Sequence, residues 1–188
     1  MESLEELVFA TDSSSVFCIL DGAVVPDLPS LLASLASQHF CLLRGALSPD
    51  LAQVAPYLVF LRRDCRFTDW LLAQGWGRNW GIYGGSGGSM IELRKHFRHV
   101  FHVSDQSGKP YYFRFYDPCV LRHYLPRCTD KELAQFFGPV QWFLVEERTP
   151  GTARKFFRTG NALREDRIAV AQPHQRVGEV SWRFESSR

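Results

Sequence analysis

Residues 15–45, SVFCILDGAVVPDLPSLLASLASQHFCLLRG, decide the class of fold. The run SVFCILDG (15–22) is dense in apolar and β-branched residues and halts at a turn-prone Asp-Gly, the composition of a buried strand. In PDLPSLLASLASQ, Leu28, Leu31, Leu32 and Leu35 recur at i, i+3, i+4 and i+7. Pro29 suits a first helical turn, where its missing N–H is not needed. FCLLRG (40–45) returns to strand composition. Strand, amphipathic helix and strand in succession is the pattern of an α/β domain.

The pattern continues outward. A short helix over 48–54 leads through Pro56 into a strand, YLVFL (57–61). RFTDWLLAQGW predicts a helix with Phe67, Trp70 and Leu71 on one side, and WGIYG (80–84) a further strand. This alternation predicts an α/β fold with a largely parallel or mixed sheet flanked by helices. Ser89 followed three residues later by Glu92 is a capping box that starts a helix at Met90. Along that helix Met90, Leu93, Phe97 and Phe101 form one apolar stripe. Arg94 and Arg98 lie along its edge, placed to reach inward to a carboxylate.

VFHVSDQSGKPYYFRFYDP (100–118) reads as a β-hairpin turning at 105–108, with Pro110 opening the return strand. The segment after Pro118 reads as helical. So does TDKELAQFFG, where Thr129 and Glu132 form a second capping box and Gly138 stops the helix. VQWFLVEE (140–147) is a strand. After Thr149, Pro150 and Gly151 the chain carries eight basic residues in 38, with ARKFFRTG and EVSWRFES as strand candidates. The division expected is an α/β domain over 1–148 and a small C-terminal extension over 149–188. No period of 20 to 50 residues repeats, which argues against solenoids and propellers.

Composition bounds the class. The chain has 188 residues, 45% hydrophobic and 22% charged, enough to own a core without disulfide or metal and too apolar to be disordered throughout. A net charge of +2 is no blanket nucleic-acid signature. That sum conceals polarity: residues 1–50 hold one Arg against seven acids (−6), 51–100 carry +4, 101–150 balance, and 151–188 carry +4. The aromatic load of 15 Phe, 6 Tyr and 5 Trp stands out, either as core or as a surface dried by a partner. Five scattered cysteines without a CxxC pair argue against a disulfide framework and a zinc ribbon, and for a reducing compartment. The opening MESLEELVFATDSSS is acidic where a secretory signal is basic, and the apolar runs are too short to span a bilayer. The expectation is a cytoplasmic protein without direct membrane insertion.

Candidate chemistry is sparse. The stretch 84–89, GGSGGS, follows a strand and precedes a helix, where helix N-terminal amides can hold phosphate. It lacks the P-loop lysine and the GxGxxG spacing. Gly84, Gly85, Gly87 and Gly88 then read as a flexible loop, or as the cradle of a small nucleotide-binding or hydrolytic enzyme. The six histidines show neither HExxH nor Cys-His spacing, and no metal site is assigned. No serine lies in GxSxG, and no catalytic set is assigned. Two basic clusters, Arg62, Arg63 and Arg66, and Arg94, Lys95 and Arg98, interleave with aromatics. No nucleic-acid-binding motif accompanies them, and they read as solvated or ion-paired faces. In FRFYDP (113–118), a strand places Arg114 and Tyr116 on one face and Phe113 and Phe115 on the other. Asp117 before Pro118 turns or caps the chain into the next helix. The structural expectation is that Arg114 or Arg98 pairs with Asp117 and ties the hairpin to the preceding helix. The functional one is that these residues meet a partner.

At these residues the sequence resembles the type VI secretion effector adaptors, the effector-chaperone or Tap family, formerly a domain of unknown function. The resemblance spans about residues 17–147 and is carried by an ordered set: CILDGAVVPDL, APYLVFLRR, GGSGGSMIELRKHFRHVFHV, YFRFYDPCVLRHYL and FFGPVQWFLVEE. Cys119 departs from it, standing where the family often has a basic residue. The resemblance implies a non-enzymatic bacterial adaptor, without a cofactor, that binds a toxin effector and helps load it onto the spike protein. It also implies a cargo-specific role for the residues beyond about 150. Arg94, Arg98, Arg114, Tyr116, Asp117 and Pro118 are the structural or partner-binding candidates.

Overall fold

β1 (Ser15–Asp21) is buried along its whole length, and its side chains divide between two cores. Val16, Cys18 and Leu20 face one, and Phe17 and Ile19 the other. A strand buried on both faces belongs in the middle of a sheet. In the computed structural model, which describes residues 2–171 apart from 11, 12, 14, 36, 37, 105 and 106, β1 is the third of seven strands in the order β2-β3-β1-β4-β7-β8-β9. The others are β2 (His39–Cys41), β3 (Pro56–Leu61), β4 (Gly81–Ser86), β7 (Val140–Glu146), β8 (Thr152–Thr159) and β9 (Ala162–Ala169). β5 (His102–Ser104) and β6 (Pro110–Tyr112) form a separate two-stranded sheet.

Every neighbouring pair in the main sheet is antiparallel, which corrects the largely parallel or mixed pairing expected. The helical crossovers do join strands of like direction. β1 and β2 run the same way, but β3 lies between them; β3 and β4 run the same way, but β1 lies between them. Each crossover is filled by a strand of the other. Adjacent strands therefore oppose although consecutive ones agree.

Helices cover both faces. α1 (Leu4–Phe9), α2 (Leu28–Ser34) and α4 (Arg66–Gln74) bury Leu7, Val8, Leu28, Leu32, Phe67 and Leu71 against the first face. α5 (Met90–Val100), α6 (Pro118–Tyr124) and α7 (Asp130–Phe137) bury Leu93, Phe97, Leu121, Leu133, Phe136 and Phe137 against the second. α3 (Pro49–Val54) buries no side chain. The α/β class with helices flanking the sheet is thus as expected. Both predicted capping boxes are made: Ser89 with Glu92 and Thr129 with Glu132, each hydroxyl accepting from the glutamate N–H while the carboxylate accepts from the cap N–H. A third, Ser3 with Glu6, opens α1.

The second core is built of rings. Phe97 stacks on Phe115 at 5.5 Å and tilts against Phe17 at 5.3 Å, while Phe143 meets Phe137 and Phe136 at 5.2 and 5.4 Å. Most of the aromatic excess is therefore core. Beyond residue 148 the chain forms the β8–β9 hairpin, appended to the far edge of the same sheet, and Ala171 N–H donates to the carbonyl of Glu2. The strand candidate EVSWRFES lies outside the described residues.

Candidate interaction surface

The glycine-rich stretch is mostly sheet. Gly84 and Gly85 lie inside β4, fully covered, so the flexible-loop reading fails for both. A Cβ on Gly84 would stand 2.4 Å from the Phe17 ring, and one on Gly85 2.2 Å from the Trp142 indole nitrogen. These glycines exist so that large rings can lie flat on the strand. Only Gly87 and Gly88 belong to a connection. There the Ser86 hydroxyl donates to the carbonyl of Pro139 at 2.7 Å and accepts from Gly88 N–H at 2.9 Å.

FRFYDP is not a strand. β6 ends at Tyr112, and after Phe113 N–H donates to the carbonyl of Phe101 the chain turns, with Asp117 N–H donating to the carbonyl of Arg114. Phe115 and Tyr116 are both buried in the same core, which a strand alternating between two faces does not allow, because this segment dives beneath the hairpin into the aromatic core. Burial, with Asp21 nearby, pushes the Tyr116 phenol up to about 12. Pro118 is buried at the first turn of α6.

The carboxylate partners differ from expectation. Arg114 pairs with Asp21 at the end of β1, Nη2 to Oδ2 2.5 Å, and not with Asp117. The Asp21 side chain is 5% exposed and also accepts from Ala23 N–H, so this pair ties the start of the α6 layer to the sheet. The hydrogen bond to Asp21 holds the Arg114 guanidinium above its usual range. Asp117 instead accepts from Cys119 N–H at 2.8 Å and caps α6, as its place before Pro118 predicts. Among the described residues Arg98 reaches no carboxylate: Nη2 donates to the carbonyls of Cys41 and Leu43 at 2.9 and 2.8 Å. Arg94 lies with its guanidinium carbon 4.9 Å over the Phe40 ring.

A further network escaped sequence reading. Arg122 on α6 lies 3.4 Å from Glu147 and donates to the Glu146 carbonyl, and Arg154 on β8 donates from Nε and Nη2 to the same Glu147 carboxylate. Burial opposes the charge on Glu147, but the bonds from Arg154 and Arg148 N–H and the Arg122 charge hold its pKa below the usual value. The adjacent Glu146 is raised by burial, although it accepts from Asn79 N–H. The signal was the paired acids at the end of VQWFLVEE, whose partners lie on α6, β8 and β9 and, for Glu146, at Asn79.

Among the described residues the large exposed apolar side chains are Val24, Leu51 and Val54 near α2 and α3, and Ile91, Val103, Tyr111 and Tyr112 on α5 and the small hairpin that follows it. Val103, Tyr111 and Tyr112 on the small hairpin are exposed, Tyr112 stacking on Phe101 at 4.8 Å. Beside them runs a cleft of about 280 Å³ lined by His99, Val103, Phe113, Tyr124, Glu132 and Phe136. Across Phe113 and Tyr124 lies a second depression, floored by Val120 and rimmed by Cys119, His123 and Arg127. Aromatic walls with a few polar groups at the rim are the make-up of a protein-binding patch. Among the described residues no three His, Cys, Asp or Glu side chains are grouped to hold a metal ion, and no helix is long and apolar enough to cross a membrane.

No curated protein and no solved structure matches the chain. One family model does, described as "Domain of unknown function (DUF4123)", over residues 16–135, which runs from β1 through most of α7. That segment is 120 of 188 residues and holds Arg94, Arg98, Arg114, Tyr116, Asp117 and Pro118; the chain belongs to this family.

Proposed function

We propose that the protein is a non-enzymatic adaptor that binds a toxin effector of a type VI secretion system and helps load it onto the spike protein. The family is associated with type VI secretion effectors. The observation that carries the reading is the exposed aromatic hairpin, Tyr111 and Tyr112, beside the cleft of Phe113 and Tyr124, in a domain whose other aromatics are mostly interior. Tyrosines supply large contact area at low entropic cost, and they are typical of surfaces that dry on binding.

Co-expression with a type VI effector and a spike protein from the same genome, followed by purification through a tag on this chain, tests the reading. Retention of both at micromolar concentration supports it. A clean monomer that retains neither overturns it.

A further inference from the structure

Among the described residues β2 is the outermost strand of the sheet on its side and has β3 as its one neighbour. Phe60 N–H donates to the carbonyl of Gln38, and Leu42 N–H to that of Pro56, so residues 38, 40 and 42 turn their backbone groups toward β3. Residues 39, 41 and 43 turn theirs to the free edge. Arg98 Nη2 donates to two acceptors on that edge, the carbonyls of Cys41 and Leu43. One helical turn earlier Arg94 lies over Phe40, and Arg44 follows directly on the edge loop.

Three guanidinium groups thus gather at one edge. Among the described residues no carboxylate pairs with any of them, whereas Arg63, Arg114, Arg122 and Arg154 each have one. The Nε atoms of Arg94 and Arg98 are buried and without a hydrogen-bond partner. Burial, and then the like charges of Arg94 and Arg44, hold the Arg98 pKa below its usual value. Like charges brought together without a counter-charge are a standing electrostatic cost, which an anion removes. Guanidinium forks fit carboxylates bidentately.

We propose that Arg44, Arg94 and Arg98 form a docking site for an acidic segment of a protein partner, taking its Asp and Glu carboxylates. A protein is favoured over a free anion because the site is bordered by apolar surface: Ile91, exposed one turn before Arg94, and the half-buried Leu43. It is favoured over nucleic acid because the aromatic ring present, Phe40, already lies under Arg94 and offers no face for a base. The inference rests on the adaptor reading only in taking the ligand to be a protein.

The test is fluorescence anisotropy with a labelled glutamate homopeptide at low salt. Two double variants remove the same charge, R44Q/R94Q from this site and R62Q/R66Q from the other basic cluster. Arg94 is half-buried whereas Arg44, Arg62 and Arg66 are exposed, so unchanged thermal midpoints check that both variants fold as the parent does. The expected result is that the first weakens binding about tenfold, the loss of two solvent-screened ion pairs, while the second leaves it unchanged. Equal weakening by both pairs overturns the site, since net charge alone then explains the attraction. So does binding of a labelled oligonucleotide or of inorganic phosphate with no binding of the peptide. Retention of the effector in co-purification without peptide binding sinks this site and leaves the adaptor standing; the opposite result does the reverse.

Discussion

Substituting Gly84 by alanine separates a packed strand from a phosphate cradle. The new methyl would stand 2.4 Å from Cζ of Phe17, where ordinary van der Waals contact begins at 3.4 Å. The ring must therefore withdraw by about 1 Å, in an interior close-packed like an organic crystal. Phe17 has no room to do so: it is fully buried, with Phe97 at 5.3 Å and Phe143 at 6.5 Å. Overpacking of this kind costs about 1–3 kcal/mol, and replacing a strand glycine by alanine returns about 0.5–1 kcal/mol, for a net loss of about 1–2 kcal/mol. In a chain of this length that lowers the thermal midpoint by roughly 3–6 °C. Gly87→Ala is the internal control, because the nearest atom to its added Cβ is Gln141 Nε2 at 3.6 Å. It should be neutral or stabilise by about 0.4–1 kcal/mol. Urea unfolding followed by far-UV circular dichroism reads both. A Gly84→Ala protein as stable as the parent would refute the reasoning, and a mobile glycine loop would then be restored.

Glu147→Gln should cost about 3–5 kcal/mol, because it leaves two largely buried arginines, Arg122 and Arg154, facing a neutral amide. The Glu147 pKa is depressed in the folded chain, so its stabilisation is present above the unfolded value near 4.3 and lost as pH falls through the folded one. The gap in urea midpoint between parent and variant should accordingly close below about pH 4; a gap that persists there contradicts the assignment. Arg114→Ala exposes the buried Asp21 carboxylate, and with the half-exposed arginine partly screened the loss should be about 1–3 kcal/mol, with a double-mutant cycle against Asp21→Asn giving the coupling. Tyr111→Ser combined with Tyr112→Ser should leave the melting curve within about 1 kcal/mol of the parent, since both rings are exposed, yet weaken effector retention in co-purification.

Local signals were legible and pairings were not. Ser89 with Glu92 and Thr129 with Glu132 state their helix starts within four residues, because a cap is a bond between near neighbours. The same signal at Ser3 and Glu6 starts α1, which the reading of that segment as too acidic for a secretory signal passed over. Strand direction depends on which distant strand lies alongside. The β1 and β3 crossovers are as the alternation implies, but their interleaving places an antiparallel strand inside each. FRFYDP shows the limit for the site. Its alternation suits a strand, and only the aromatic core beneath the hairpin, built from Phe97, Phe136 and Phe143, explains why Phe115 and Tyr116 both point inward. Arg94 and Arg98 were legible as an edge pair, whereas their acceptors lie more than fifty residues earlier in the chain.

The two rims of the sheet bear on how the protein behaves when it is crowded. An open strand rim is a template on which another chain can grow. On one side the rim is only three residues long, and the Arg98 guanidinium occupies two of its acceptors. On the other, β9 carries Arg164, Glu165, Asp166 and Arg167 in succession, so charges of both signs stand on both of its faces. A second copy approaching either rim must displace a bonded cation or bury charged side chains. Among the described residues neither rim therefore offers a bare run of backbone on which the sheet could extend.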